Sequence, residues 1–567
     1  MNSTVPTLIT RSLRLLGIAI SALLLVPLIG VFSSLFVADQ GTWAHLSRTV
    51  LPGLAANSLI LGCGVAVGVA IIGTLTAWLT ANHEFPGRRL LEWTLILPLA
   101  IPAYVLAYTY TDVLQYAGPV QTFLRDSFGW QKHDYWFPEI RSLGGAVMML
   151  TLALYPYVYV IARVAFLEQS TTLAEAARNM GLSPFSVFMR ISLPLARPAI
   201  AAGVALALME TLADYGTVSY FGVSTFTTGI FNAWFSQGDR IAAAKLAVIL
   251  MSFVILVMLL EHWARRRARF HQTAGRQHVR ILLSGATGWL VTLLCALPIV
   301  IGFAIPTLIL LKLALTEGDV QFGARFIKLA ANSFGVAAIT ALIAISVALL
   351  LAYVARSSGQ RVQVWLNRLV GLGYAVPGTV IAVGVLIPLI ALDHFLVDSI
   401  AAIFGFKTGL ILTGGFLVLI YAYLIRFLAV ALQSVEAGLS KITPNMDDAA
   451  RSLGSTPIEV MRDVHMPLLR TSLITAGLLV FVDVMKELPA TLVMRPFNFD
   501  TLAVQTYNLA MDERLAEAST AALAIVAVGL IPLIMASRAI TRQQNGTASN
   551  CAPALAVAVT TQRVTSG

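Results

Sequence analysis

The chain has 567 residues, of which 58% are hydrophobic and 12% are charged, and its formal net charge is +10. Soluble domains carry about 25% charged residues, so this composition excludes an ordinary soluble protein and indicates a lipid bilayer as the surrounding medium. The arginines stand at the ends of apolar segments, which is typical of cytoplasmic membrane loops and argues against a nucleic-acid partner. Three dispersed cysteines predict neither a disulfide framework nor a metal site.

Twelve apolar segments are long enough to cross a membrane, since a spanning helix needs about 20 residues. They predict an all-α polytopic membrane protein, and the first segment is interpreted as a retained helix because it lacks a clear cleavage site. The segments are 15–37, 57–80, 93–113, 144–166, 198–221, 242–260, 286–311, 333–355, 368–391, 409–431, 471–494 and 518–536.

The positions of Lys and Arg predict the orientation of these helices, because cytoplasmic loops are enriched in positive charge. Arginines precede the first segment and follow the second, sixth, eighth and twelfth, with the run "RRRAR" at 265–269 the densest. All of them lie on one side of the membrane if both termini are cytoplasmic. The loop 113–143, rich in Trp, Tyr and Phe, then lies on the outer side.

A polar decapeptide occurs twice in this apolar chain. It reads "EAARNMGLSP" at 175–184 and "DAARSLGSTP" at 448–457, and we call the separation from position 175 to position 448 the repeat offset. The sequence "LAANS" likewise occurs at 54–58 and at 329–333. Because such landmarks keep their order, the chain predicts two parallel repeats of six helices, each with a cytoplasmic loop that carries the decapeptide.

The repeat also predicts how the chain is divided. "YVYVIAR" (157–163) is matched with "YAYLIRF" (421–427), which places about nine extra residues before the second decapeptide. The predicted divisions are an N-terminal segment with the first helix (1–52), a first core (53–260), a basic linker with the seventh helix (261–327), a second core (328–540) and a cytoplasmic tail (541–567).

Each decapeptide predicts a helix, a sharp turn and a second helix. Gly181 and Gly454 stand where the first helix ends, since glycine adopts the left-handed conformation without strain. A Ser-Pro or Thr-Pro pair then supplies an N-cap and a first-turn proline. One copy alone is an ordinary interfacial elbow, whereas two copies favour docking to a partner with two equivalent sites. The docking candidates are Glu175, Ala176, Ala177, Gly181, Asp448, Ala449, Ala450 and Gly454.

These stretches resemble the EAA loops of ABC importer permeases. Residues 175–194 carry the family pattern in full, and 448–467 depart from it at Asp448, Val464 and Met466. The resemblance implies EAA coupling loops at 168–196 and 433–469. It also implies a multi-pass protein of the bacterial inner membrane, served by a periplasmic substrate-binding protein and by two copies of a separate ATPase subunit.

The chain lacks the sequence of an ATP-hydrolysing protein. No G-x-x-x-x-G-K-[ST] phosphate-binding loop is present, and neither is an H-E-x-x-H motif, a G-x-S-x-G motif or a histidine cluster. We therefore expect no catalytic residue, no cofactor and no resident metal in this chain, with ATP used by the partner ATPase.

Four carboxylates in the fifth and eleventh segments are candidates for a translocation path, because intramembrane acids are costly and frequently functional. They are Glu210, Asp214, Asp483 and Glu487. The i, i+4 spacing places each pair on one face of a continuous helix, and the repeat offset relates one pair to the other. A ring of acids suits a permeating cation. The alternative is a structural role, with Lys486 as an internal partner for its neighbour Glu487.

The substrate is predicted from a finer resemblance. Fusion of two halves in one chain resembles both ferric-iron and thiamine importers, and residues 209–235 and 485–508 are most similar to the ferric-iron group. Thiamine is the nearest alternative substrate, and phosphonate, polyamine and sulfate permeases share parts of these stretches. A twelve-helix secondary transporter driven by an ion gradient is an alternative of a different class, but it leaves the duplicated cytoplasmic elbow unexplained.

Overall fold

The computed structural model describes residues 4–37, 42–169, 176–177, 179–266, 280–316, 323–358, 361–406 and 409–535. Within this part of the chain, eleven helices are long and apolar enough to span a membrane, and a bent pair of helices brings the number to twelve. The predicted all-α polytopic architecture is confirmed. Glu175, the central linker 267–279 and the tail 541–567 lie outside the described residues.

The helices follow one another with short connections. Their bounds are Thr4–Ser33, Thr42–Thr49, Leu51–Asn82, Arg88–Thr94, Ala103–Leu114, Pro119–Phe128, Leu143–Leu167, Pro184–Val187, Leu193–Ala213, Gly216–Tyr220, Phe226–Phe231, Arg240–Arg266, Gly285–Ile299, Ile305–Thr316, Ala324–Ser358, Arg361–Gly371, Gly378–Phe404, Phe416–Leu439, Pro444–Ser452, Pro457–Glu459, Met466–Met485, Pro489–Met494, Leu502–Met511 and Leu515–Met535. Short 3₁₀ and π-helical turns occur at Ser34–Phe36, Leu97–Ala100, Phe188–Ser192, Asn232–Ser236, Val300–Ala304, Leu372–Ala375 and Val460–His465.

Several predicted spans are broken, which corrects the expectation of continuous helices. The third span bends by 90° between Arg88–Ala100 and Ala103–Phe128. The break falls at Pro102, whose φ and ψ are −58° and 140°, and its counterpart Pro377 has −57° and 140°. A proline cannot donate the backbone hydrogen bond that a helix interior needs. The two prolines therefore break matching helices in the two repeats.

The two repeats keep one register from the fourth helix to the fifth. The fourth helix begins after Ser142 and its counterpart begins after Gly415, and these two positions are related by the repeat offset. Since the decapeptides have the same separation, the nine extra residues expected before the second copy are absent. The pairing of "YVYVIAR" with "YAYLIRF" was wrong because similar aromatic residues lie about two and a half turns apart on equivalent helices.

The repeated "LAANS" motif fastens an early helix to a distant loop in each half. The Asn57 amide donates to the Ser224 carbonyl at 2.9 Å, and the Asn332 amide donates to the Asp500 carbonyl at 3.0 Å. The following serine hydroxyl in each copy accepts from the backbone N–H of a short helix, at 3.2 Å in the first half and 2.7 Å in the second. The motif therefore positions the segments that follow the fifth and eleventh spans.

Glycines let the second and fourth spanning helices approach closely in the first half. A Cβ added at Gly68 would lie 2.6 Å from the Thr151 hydroxyl oxygen, and one at Gly73 would lie 2.6 Å from Val158 Cβ. Helices in lipid associate largely through such close packing, because burial away from water gives little driving force there.

A short parallel strand pair lies at the end of the second spanning helix that is predicted to be cytoplasmic. His83–Glu84 pairs with Ile281–Leu282, and Arg280 donates to the Ala81 carbonyl. The segment that follows the central linker is thereby held against the end of the second spanning helix.

Replacing Gly73 by valine should destabilise the first half, because its Cβ would also meet the Tyr155 carbonyl oxygen at 2.9 Å. Overpacking of this kind costs about 1–3 kcal/mol. The thermal midpoint of the purified protein in detergent should fall. The matched control is Gly335→Val, where the added Cβ has no neighbour within 4 Å. Equal midpoints for the two variants would contradict the packing argument.

Candidate functional site

The two decapeptides form elbows with the same backbone hydrogen bonds. In the first copy Met180 N–H donates to the Ala176 carbonyl and Leu182 N–H to the Ala177 carbonyl. The second copy repeats both bonds, from Leu453 to Ala449 and from Ser455 to Ala450. Gly181 and Gly454 have φ values of 84° and 89°, which fits the predicted left-handed helix end.

The second helix of each elbow is capped as its sequence predicts. The Ser183 hydroxyl accepts from Ser186 N–H at 3.2 Å. Thr456 and Glu459 form a reciprocal capping box, in which Thr456 N–H donates to the Glu459 carboxylate at 2.7 Å. This hydrogen bond holds the pKa of Glu459 below its ordinary value. A π-helical turn then precedes the fifth span in the first half and its counterpart in the second.

Each elbow presents matched apolar side chains to solvent, which sequence reasoning missed. Met180 and Leu453 are 76% and 87% exposed, and Phe185 and Ile458 are 68% and 47% exposed. The members of each pair are related by the repeat offset, which is the signal that a search of the repeat would have found. Such paired apolar surfaces are typical of a docking site rather than of a solvated loop.

The second elbow is anchored to the membrane domain by a buried ion network. Asp447 accepts from Arg356 Nε at 2.9 Å, and its other oxygen contacts His465 Nε2 at 2.7 Å. Burial alone would raise the pKa of Asp447, but the hydrogen bonds from His465 and Arg356 lower it below its ordinary value. The aspartate is therefore ionised at neutral pH and ties the elbow to two other helical segments.

All four candidate path acids line one central cavity of about 120 Å³. The cavity lies where the fifth and eleventh spans break, so residues of both halves face it. Arg426, Lys486 and the hydroxyl-bearing Tyr104 also line it. The structure thus brings together the acids that the sequence predicted, but not in the predicted way.

Asp214 does not continue the fifth helix, which ends at Ala213. Its backbone is extended, with φ −65° and ψ 134°. Its carboxylate instead accepts from Thr217 N–H and Val218 N–H, both at 3.1 Å, and from the Thr217 hydroxyl at 3.0 Å. Asp214 therefore caps the short helix Gly216–Tyr220.

Glu487 performs the same task in the second half. The eleventh helix ends at Met485, and the Glu487 carboxylate accepts from Ala490 N–H at 2.8 Å and Thr491 N–H at 2.9 Å. The expectation that each acid pair shares one continuous helix face was therefore wrong. The breaks separate the members of each pair, and the later acid satisfies the backbone N–H groups that the break exposes.

Two cations accompany the four carboxylates. Arg426 lies 3.6 Å from Glu210 of the first half and 3.5 Å from Glu487 of the second half. Lys486 lies 2.9 Å from Asp483. The lysine thus pairs with Asp483, one turn back, and not with its sequence neighbour Glu487. Arg426 is a site residue that the sequence reasoning did not single out.

The cavity carries more carboxylates than cations. Within the described ranges, no cluster of three or more His, Cys, Asp or Glu side chains is arranged to hold a metal ion. Four carboxylates against two cations still leave an excess of negative charge, and the exposed fractions of the Glu210 and Asp483 side chains are 25% and 15%.

A cluster of aromatic and charged side chains lies beside the cavity, towards the loops predicted to be outside. Arg141 of the first half pairs with Glu513 of the second half at 3.0 Å and stacks over the Tyr220 ring at 4.9 Å. Tyr220 contacts the Tyr108 ring edge-on, with centroids 4.5 Å apart. These contacts join the halves across the predicted outer end of the path.

Comparison with known proteins gives consistent relatives. The model of the family "binding-protein-dependent transport system inner membrane component" matches residues 69–270 and 341–545. A Haemophilus influenzae Fe(3+)-transport system permease protein, FbpB 2, is 26% identical over 528 residues, covering 90% of this chain and 97% of that protein.

Two further relatives differ in length. The ferric transport system permease FbpB of Actinobacillus pleuropneumoniae is 24% identical, and the match covers 87% of this chain and 73% of that protein. The molybdenum transport system permease ModB of Escherichia coli is 29% identical over 40% of this chain and 96% of its own.

Removing the two capping carboxylates should lower stability. In the Asp214→Ala/Glu487→Ala variant the backbone N–H groups at both breaks lose their acceptors, at about 0.5–2 kcal/mol per cap. Asp214→Asn should retain most of the stability, because asparagine is a good N-cap. The matched control, Glu210→Gln/Asp483→Asn, leaves both caps in place. Thermal midpoints measure the difference, and a control that is destabilised as strongly as the alanine variant would contradict the assignment.

Proposed function

This chain belongs to the family of binding-protein-dependent transport system inner membrane components, the permeases of ABC importers, and we propose that its substrate is ferric iron. It is a multi-pass inner-membrane protein that works with a periplasmic substrate-binding protein and an ATPase. The observation that carries the ferric proposal is the central cavity, where four carboxylates from both halves face two cations. Such a surface attracts a cation and repels an anion.

The relatives support a ferric substrate by name and by extent. The two ferric permeases cover most of this chain, whereas the molybdenum permease covers 40% of it. An oxyanion such as molybdate or sulfate would meet repulsion from the cavity acids. Thiamine, a cation of the same charge sign, is the second candidate, since the same carboxylates would attract it.

We assign the chemical steps to different chains. The elbows at 168–196 and 433–469 would each dock one ATPase copy, through Glu175, Ala176, Ala177 and Gly181 in the first elbow and Asp448, Ala449, Ala450 and Gly454 in the second. ATP hydrolysis would occur only in those two copies, with this chain as a non-catalytic subunit. The cores 53–260 and 328–540 would form the path, with both termini cytoplasmic.

Within the cavity, the two acid pairs would have different tasks. Glu210 and Asp483 are partly exposed and would screen the passing cation. Asp214 and Glu487 would line the same space while they hold the helix breaks. Because the open acids Glu210 and Asp483 occupy equivalent positions in the repeat, the ion would meet one from each half.

Straining both elbows should uncouple transport from the ATPase. Valine at Gly181 and Gly454 would have to adopt a left-handed conformation, at roughly 1–2 kcal/mol each, which would tilt the docking helices. The Gly181→Val/Gly454→Val variant should copurify with less ATPase and import less substrate. Gly129→Val, at φ 67° on a loop away from the elbows, controls for strain alone. Normal ATPase association in the elbow variant would contradict the docking assignment.

Neutralising the open acids should abolish ferric uptake. We expect Glu210→Gln/Asp483→Asn to lower uptake of radioactive ferric iron about tenfold or more, since the passing ion would lose two charge contacts in a low-dielectric wall. The assay uses proteoliposomes that contain the permease with its ATPase and binding protein. Competition by unlabelled thiamine tests the second candidate.

The contradicting outcome is unchanged ferric uptake by a variant whose thermal midpoint and ATPase association match those of the unmodified protein. Uptake of thiamine but not of ferric iron by the unmodified complex would instead identify thiamine as the substrate.

A further inference from the structure

We propose that Arg426 and Lys486 are built-in counter-cations, which neutralise the open acids Glu210 and Asp483 when no substrate is present and which a permeating cation must displace. They would thereby determine which cations pass. The inference rests on the proposed cation path, and it gives a role to two residues that the path proposal does not use.

Arg426 is held in a way that permits displacement. Its side chain is 8% exposed, yet its contacts with Glu210 and Glu487 are 3.6 and 3.5 Å long, beyond the usual range of about 2.7–3.2 Å for N–H···O hydrogen bonds. Its Nε is also buried without a hydrogen-bond partner among the described residues. A structural arginine at this depth would be expected to donate directly to its carboxylates. Arg426 instead neutralises them at a distance.

Glu487 keeps its place whether or not Arg426 moves. Its two oxygens already accept from the backbone N–H groups of Ala490 and Thr491. Glu210 has no such cap within the described part of the chain, and its exposed fraction of 25% leaves it open to the cavity. Displacing Arg426 would therefore free Glu210 for the passing ion without opening the helix break.

Lys486 neutralises the equivalent acid of the second half. It lies 2.9 Å from Asp483 and is 30% exposed, so its flexible side chain has space to leave. Lysine is a compact point charge on a flexible stem. Each open acid, Glu210 and Asp483, therefore has one cation that belongs to the protein.

The repeat shows that these cations are not required by the fold. The repeat offset relates Arg426 to Ala153 and Lys486 to Ala213, and both alanines also line the cavity. Each half contributes one pair of acids at equivalent positions, whereas both cations belong to the second half. The fold thus accommodates alanine where the counter-cations stand, which indicates that their charges serve the cavity.

Tyr104 provides a second sign that the cavity receives a ligand. The residue lines the cavity and is 5% exposed, and its hydroxyl is buried without a hydrogen-bond partner within the described residues. A buried hydroxyl without a partner is unfavourable. Together with the carboxylates it offers hard oxygen donors, which suit a hard, highly charged cation.

Displacement favours cations of high charge. The Coulomb energy between an ion and a carboxylate scales with the ionic charge, so a trivalent ion competes with the tethered cations far better than a monovalent ion does. After the ion leaves, Arg426 and Lys486 return to the acids. Exit is therefore assisted, and binding remains weak, as conduction requires.

Terbium(III) binding tests this inference directly. Tb³⁺ is a hard trivalent probe whose luminescence is excited through nearby tyrosine, and Tyr104 lines the cavity. We would titrate the purified full-length permease in lipid nanodiscs at mildly acidic pH. Arg426→Gln/Lys486→Gln should bind Tb³⁺ at least about tenfold more tightly than the unmodified chain, because two competing charges are removed. The single variant Lys486→Gln, at a partly exposed site, should show part of the gain if the double variant folds poorly.

The acids provide the background control. Adding Glu210→Gln/Asp483→Asn to the double variant should abolish the gain, which separates the cavity from surface sites. Unchanged Tb³⁺ affinity in folded Lys486→Gln and double variants would overturn the inference, and so would a gain that persists without the acids. Because this assay measures binding and not import, its failure is distinguishable from a failure of ferric uptake.

Discussion

Two helix breaks each leave backbone N–H groups that need an acceptor, and the arrangement of the central cavity depends on how this requirement is met. A backbone donor without a partner costs several kcal/mol in hydrocarbon. Asp214 and Glu487 meet it from positions just after the break, with 2.8 to 3.1 Å hydrogen bonds. The same carboxylates then bring negative charge to the centre of the molecule. Stability and cavity charge are therefore linked, because the groups that permit an interrupted helix also contribute negative charge to the cavity.

The two ends of each half are built by different means. At the elbows, glycine turns, capping hydrogen bonds and exposed apolar side chains produce two near-identical surfaces. At the cavity, the halves share their acids but not their cations. The elbows face a partner that is expected in two equal copies, so symmetry is useful there. The proposed passage of single ions through the cavity makes no such demand for a symmetrical wall.

Sequence patterns predicted the membrane class, the number of helices, the six-helix repeat and the turn chemistry of the elbows, because each depends on local composition or on spacing along the chain. They also related the two acid pairs to each other through the repeat offset. They failed where a continuous apolar run conceals a break, since Asp214 and Glu487 stand in stretches that look helical by hydropathy alone. They also failed for Arg426, whose partner Glu210 belongs to the other half of the chain. Such pairings arise from packing between the halves, which no local pattern encodes.

Alanines stand at the positions equivalent to the two cavity cations, and this difference restricts how such a protein can be encoded. A permease assembled from two copies of one six-helix polypeptide has the same residue at both related positions. It therefore carries either two arginines or two alanines there. Joining the halves in a single chain removes that restriction, because the two related positions are then specified separately. Arg426 at one position and Ala153 at the equivalent position are a combination that only a fused chain, or two different chains, can encode.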